Sequence, residues 1–317
     1  MYYSIRHVTK FRYSTPVSES LMETRMHPRS ELNQRCLTFQ LSVSPRSRVT
    51  SYRDYLANMV YHFDVAGLHS QLIVVAEALV DVREPEPLPY SLGPESWDEL
   101  DALTRAGDYW EMLMPSQFTQ PVPALSDLAR ELNVYRREDP LRLVRELNAG
   151  IYDWFEYVPN STKVDSPIEE ALLSRQGVCQ DFAHVLITLV RSLGIPCRYV
   201  SGYLHHGSGD RDRSAEGATH AWVEALLPGL GWVGFDPTNN LVASDRHIRT
   251  AIGRDYADVP PTRGVFKGSA ASKMSVVVMV SPAETLPPLG EDIAVGEDWS
   301  TVIQKEPDVQ QDQQQQQ

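Results

Sequence analysis

The stretch Gln176-Gly177-Val178-Cys179-Gln180-Asp181-Phe182-Ala183-His184 decides how the rest of the chain is read. A glycine turn here is expected to deliver one cysteine to the first turn of a helix. Apolar residues recur through Val185, Leu186, Leu189, Val190 and Leu193, and the pattern stops at Gly194 before Pro196, a normal helix end. Helix N-termini present unpaired N–H groups and the positive end of the backbone dipole. Both favour a thiolate over a thiol, so Cys179 is a candidate nucleophile.

A thiolate nucleophile needs a base, and the base needs a third group to orient it. Downstream, His220 begins the alternating run HAWVEALL and Asp236 ends the run GWVGFD. Pro228-Gly229-Leu230-Gly231 between them is a hairpin loop signal. His220, Trp222 and Glu224 share one strand face, as do Trp232, Gly234 and Asp236. A register that matches those faces brings Asp236 near His220, where a carboxylate can hold the imidazole's tautomer. Asp236 also precedes Pro237 and reads equally as a turn-former. His184 lies five positions after Cys179, about 500° round a helix, and so is not the base. Asp181 is expected to favour the helix N-terminus electrostatically.

Working outward, residues 1–83 read as a β-rich module. Tyr3, Ile5 and His7, then Phe11 and Tyr13, suggest short alternating strands, the second ended by Pro16; further candidates are 36–44, 58–65 and 70–82. With no helix-period segment, a β-sandwich-like module is expected. Residues 84–94, EPEPLPYSLGP, form a stiff proline linker. Helical signals then dominate: Ser96 or Asp98, Ser126, and Asp139-Pro140 are start signals, the last opening a helix through Trp154–Phe155, and Ser166-Pro167 repeats the cap-then-proline pattern. Strands follow at 197–204, 218–227 and 232–236, and 237–268 reads as irregular. The run Met274–Val280 reads as one more buried strand, returning to the N-terminal module or extending the core sheet. The expected organisation is therefore a 1–83 module, an 84–94 linker, a 95–268 core, a returning strand within 269–281 and a disordered tail at 282–317.

Composition narrows the function. Over 317 residues the chain is 42% hydrophobic and 22% charged, with a net charge of −13. That acidity argues against nucleic acid as a partner. No apolar run approaches the ~20 residues needed to span a bilayer. The N-terminus lacks the apolar region of a signal peptide, which predicts a cytoplasmic protein without a membrane partner. Three cysteines at 36, 179 and 197 suit neither a disulfide framework nor zinc, and Cys36 and Cys197 read as small core residues. His205, His206, Asp210 and Asp212 have a metal-like composition, but their Gly- and Ser-rich segment reads as a solvated loop; no metal or cofactor is expected.

Three motifs in order, GVCQDFAH, RSLGIPCRYVSGYL and THAWVEALLPGLGWVGFDPTNN, resemble the core of the transglutaminase-like superfamily. The N-terminal YSIRHVTKFRYSTPVSES resembles the β region of bacterial members, and GRDYADVPPTRG extends the likeness beyond the core. The resemblance implies an α+β protein in which the β-sandwich-like module precedes a papain-like cysteine enzyme core. It implies Cys179 as nucleophile, His220 as base and Asp236 as its orienter. The Cys179 backbone N–H is expected to supply one oxyanion donor. Gln176, Gln180, Trp222 and Tyr256 are candidates for substrate or oxyanion contacts. The implied reaction is acyl transfer from amide bonds of protein or peptide substrates through a Cys179 thioester, with an amine or water as acceptor. A catalytically idle binding module is the other class left open, and the oligomeric state is not readable.

Overall fold

In the computed structural model, which describes residues 1–207, 209 and 211–283, the chain runs through β1 (Tyr2–Thr24), β2 (Gln34–Ser44), β3 (Val49–Arg53) and β4 (Met59–Val82). Four helices follow: α1 (Ser96–Ala106), α2 (Trp110–Leu113), α3 (Leu125–Glu131) and α4 (Pro140–Trp154). Then come β5 (Glu156–Tyr157), α5 (Ile168–Ser174), β6 (Gln176–Gly177) and α6 (Cys179–Ser192). The described residues end with β7 (Cys197–Leu204), β8 (His220–Leu227), β9 (Gly231–Asp236), β10 (Leu241–Val242), β11 (His247–Gly253), a 3₁₀ turn at Tyr256–Asp258, β12 (Thr262–Lys267) and β13 (Ser272–Ala283). The acidic tail from 284 onward and Asp210 lie outside the described residues.

Two very long strands make the N-terminal module. β1 and β4, 23 and 24 residues, pair antiparallel, with the register broken between Arg12 and Glu19. On one side of the break β13 and β2 flank the pair; on the other, β12 and β3 do. The two halves enclose one core: Phe11, Leu72, Val74 and Met274 from the first meet Met22, Phe63 and Val65 from the second. The sandwich-like arrangement is thus a single bent sheet. Pro16 does not end a strand as expected. It sits where the ladder is already interrupted, so its missing N–H breaks no pairing.

The second sheet runs β10-β9-β8-β7-β11, all antiparallel. α6 lies against it and α4 covers α6, with Leu147, Ile151, Phe182, Leu186, Val190, Val223 and Phe235 in one core. α4 begins as its sequence dictates: the Asp139 carboxylate accepts from Arg142 N–H at 2.9 Å and Pro140 takes the first helical position. Ser166 does not cap α5; its hydroxyl accepts from Lys163 N–H, and Pro167 stands at the cap.

The segment 237–268 is not irregular. It holds β11, buried along its whole length, and β12, which pairs with β1. The chain therefore re-enters the N-terminal sheet at Thr262, inside the stretch expected for the core. β13 also returns to β1 rather than extending the core sheet.

Side-chain amides join the two sheets. Gln34 donates to Arg249 C=O at 2.9 Å and accepts from Arg249 N–H at 2.8 Å. Asn58 does the same with Ile252, both bonds at 2.9 Å. β11 is an edge of its sheet, and these amides pair backbone groups there. Beside them the wholly buried Glu224 carboxylate lies between the guanidinium groups of Arg198, at 2.6 Å, and Arg249. No helix among the described residues is long and apolar enough to cross a membrane.

Candidate active site

Cys179 is the first residue of α6. The preceding Gly177 is not a turn: it pairs in β6, parallel to β5, with Tyr157 opposite it. The turn comes two residues earlier, where Arg175 closes α5 at φ 56°. Glycine is needed at 177 for a close approach, since a Cβ there would sit 2.9 Å from that of Asp181. Asp181 accepts from Val178 N–H at 2.8 Å and from the Thr162 hydroxyl at 2.5 Å, fixing the entry to the helix. Burial pushes the Asp181 carboxyl up to about 6 against those two hydrogen bonds.

Cys179 lines a cavity of about 390 Å³ together with His220. In the β8–β9 hairpin Val223 faces Phe235, so Asp236 falls opposite Trp222 and diagonal to His220. The His220 Nε2–H donates to Asp236 Oδ2 at 2.7 Å. The other ring nitrogen, Nδ1, is buried without a hydrogen bond of ordinary length among the described residues. Burial disfavours the His220 imidazolium. The Asp236 charge and hydrogen bond, and behind them Cys179, outweigh that and lift its pKa to about 10. Asp236 is held well below the usual carboxylate range: burial opposes its charge, but His220 and then His247 favour it.

Asp236 is also the turn-former. Its Oδ1 accepts from Thr238 N–H at 3.0 Å and Asn239 N–H at 3.3 Å. Its Oδ2 takes two more donors besides His220: Asn239 Nδ2 at 2.8 Å and His247 Nε2 at 3.3 Å. His220, Asp236 and His247 have the composition of a metal site, their donor atoms lying within 4.8 Å of one another. The hydrogen bonds argue otherwise. Ser244 N–H donates to His247 Nδ1 at 3.1 Å, so Nε2 carries the proton it gives to Asp236 and offers no lone pair.

The remaining candidates divide. Tyr256 and Gln180 line the cavity, although Gln180 Nε2 donates to Val164 C=O at 2.8 Å. Gln176 does not reach the site: its side chain turns to Glu156, at 3.1 Å. Trp222 does not form the cavity wall. It lies fully buried, stacked with His220 at 6.1 Å between centroids. Gly202, opposite His220 on β7, leaves room for the Trp222 indole; a Cβ there would sit 2.6 Å from that indole. His184 accepts from Tyr256 N–H at 3.2 Å, and burial, reinforced by Arg191, lowers its pKa to about 3, so it stays neutral. Burial raises the Cys197 thiol to about 12 and the Cys36 thiol to about 11. Asp212 is tied to Arg246 at 2.9 Å and His206 at 3.2 Å.

Four groups at the site carried no readable signal. His7 and Thr9 of β1 and Met274 of β13 line the cavity, so the N-terminal module walls it on one side. His247 sits in a strand that does not alternate, because both faces are covered. Asn239 was legible in principle, as the Asn of an Asp-Pro-Thr-Asn turn.

The fold and this constellation define a cysteine-centred papain-like core with a β module in front. Residues 127–237 match the transglutaminase-like superfamily, and residues 3–81 match the bacterial transglutaminase-like N-terminal region. The chain belongs to the transglutaminase-like superfamily. An uncharacterized protein of Mycobacterium leprae is 33% identical over 279 residues, 87% of this chain and 96% of its own length. A protein-glutamine gamma-glutamyltransferase of Pseudomonas aeruginosa is 28% identical over 180 residues, 53% of this chain and 26% of that protein. A crystal structure of a candidate cysteine protease from Cytophaga hutchinsonii superposes with a TM-score of 0.69 at 24% identity, covering 92% of this chain and 94% of the other, and so shares the fold.

Proposed function

We propose that this chain is a thiol-dependent acyl-transfer enzyme acting on amide carbonyls of protein or peptide substrates. Cys179 is the nucleophile, His220 the acid–base group and Asp236 its orienter. The observation that carries this reading is the His220–Asp236 hydrogen bond on the wall of the cavity that the helix-initial Cys179 also lines.

In the first half-reaction the Cys179 thiolate attacks the carbonyl carbon. The C–S bond forms, the carbonyl electron pair moves to oxygen, and collapse breaks the C–N bond as the His220 imidazolium gives its proton to the leaving amine. The raised pKa of His220 supports a resting imidazolium able to do this. In the second half, neutral His220 takes a proton from the acceptor as it attacks the thioester, and collapse breaks the C–S bond and releases Cys179 as the thiolate beside the re-formed imidazolium. An amine gives transamidation and water gives hydrolysis. The buried His220 ring supports the amine, since keeping water from the base favours aminolysis, while Cys179 itself is half-buried. The glutamine-directed activity in the name of the Pseudomonas relative points the same way, toward a glutamine carboxamide as donor.

The test supplies glutamine- and asparagine-containing peptides with and without a primary amine and follows products by mass. An amine adduct that disappears in Cys179→Ala is the expected result. Cleaved or deamidated peptide without adduct moves the assignment to hydrolase. No product from folded wild-type protein, with Cys179 alkylated by iodoacetamide as slowly as Cys197, sinks the reading.

A further inference from the structure

The acyl-transfer reading leaves a gap. A tetrahedral oxyanion needs two preorganised donors, and the helix-initial backbone N–H of Cys179 offers one. Gln176 faces away from the cavity, and Gln180 is engaged with Val164 C=O. Tyr157 meets the requirement from an element not expected to take part.

Tyr157 sits on β5, which pairs with β6, the two-residue strand leading directly to Cys179; Val158 N–H also donates to Gly177 C=O at 3.0 Å. Its position relative to the nucleophile is therefore set by backbone pairing. Its ring packs tilted against Phe182 of α6, at 6.4 Å between centroids, and it lines the same cavity as Cys179 and His220. The hydroxyl oxygen accepts from Ala215 N–H at 3.2 Å. A hydroxyl whose oxygen is already occupied by a donor is oriented to give its own hydrogen elsewhere.

We infer that the Tyr157 hydroxyl is the second oxyanion donor, giving a hydrogen bond to the carbonyl oxygen as Cys179 adds to the carbon. No proton is transferred in this step: the oxyanion receives hydrogen bonds from Tyr157 O–H and the Cys179 backbone N–H, then re-forms the C=O as the leaving group departs. Burial, and after it Cys179, raises the Tyr157 pKa to about 12, so the phenol keeps its hydrogen at working pH. The inference rests on Cys179 being the acylated nucleophile, and the experiment separates the two.

Two reactions of Cys179 are compared in wild type and Tyr157→Phe. Acylation by p-nitrophenyl acetate passes through an oxyanion; alkylation by iodoacetamide displaces iodide at a saturated carbon and does not. The variant keeps the ring, and a thermal melt checks the loss of the Ala215 acceptor. The expected result is an acylation rate lower by about 10²-fold, with the Cys179 alkylation rate unchanged within about twofold. Equal acylation rates in the two proteins overturn the assignment. So does a parallel fall in both reactions, which would make Tyr157 a support for the thiol rather than a donor. A wild-type protein that is neither acylated nor alkylated at Cys179 faster than at Cys197 refutes the nucleophile itself.

Discussion

Two carboxylates lie wholly buried around β8, and they are treated differently. Asp236 is surrounded by His220, His247 and the amides of its own turn. Glu224, four residues along the strand from His220, is clamped between Arg198 and Arg249. Both are saturated with hydrogen bonds, so neither is left as an unpaired buried charge. What separates them is whether the partner can give up a proton. A guanidinium cannot within any ordinary pH range, so the Glu224 cluster is a fixed tie among β7, β8 and β11 of the core sheet. An imidazole can, so the Asp236 cluster can take part in proton transfer.

The largest expected effect comes from Cys179→Ala, which removes the nucleophile beside the Asp236 cluster and leaves the His220–Asp236 hydrogen bond in place. Acyl transfer should fall by about 10⁶-fold with the unfolding midpoint unchanged, measured by peptide turnover and a denaturant titration. Asp236→Asn attacks one cluster directly. It keeps the size of the side chain but upsets the tautomer of His220, and turnover should drop about 10⁴-fold with the fold retained by circular dichroism. The reciprocal change at the other cluster is Glu224→Gln. Two buried guanidinium groups lose their counter-charge, and stability should fall by about 3–5 kcal/mol in chemical denaturation. Turnover per folded molecule should stay within about twofold of wild type; a large fall would erase the distinction drawn between the clusters.

The two should also titrate in opposite directions. His220 has a folded pKa of about 10, above the ordinary 6.5. Its stabilising contribution is complete below 6.5 and is lost as pH rises toward 10. The Glu224 pKa is lowered below 4.5, because the Arg249 and Arg198 charges outweigh its burial. Its contribution is complete above 4.5 and is lost as pH falls below that. Melting temperature against pH should lose its alkaline decline in His220→Gln and its steepest acid decline in Glu224→Gln. The smallest effect is a control remote from both clusters: Asp139→Ala removes the α4 cap and should cost about 1 kcal/mol, with turnover intact.

What the sequence disclosed follows from how local each signal is. Asp139-Pro140 and Gly194-Ile195-Pro196 mark helix ends because the deciding interactions lie within a few residues. The hairpin from His220 to Asp236 was legible for the same reason: its loop fixes the register, and the register fixes the diagonal that joins the two side chains. Pro16 misled, because the pairing break that tolerates it depends on β4, more than fifty residues away. β11 was hidden because a strand covered on both faces need not alternate, and its His247, Arg249 and Thr250 find partners only in the folded chain. The cavity wall supplied by His7 and Thr9 was equally out of reach, since it depends on how the N-terminal sheet docks.

The amides of Gln34 and Asn58 carry a consequence for assembly. An uncovered sheet edge is a template on which any other extended chain can crystallise its own backbone, copy upon copy. Each amide offers one donor and one acceptor in the same spacing as a peptide unit. Two of them therefore stand in for the missing neighbour and terminate the growth of the core sheet. A core cut free at the proline linker would lose that terminator along with β1–β4, and its solubility would then depend on finding another strand.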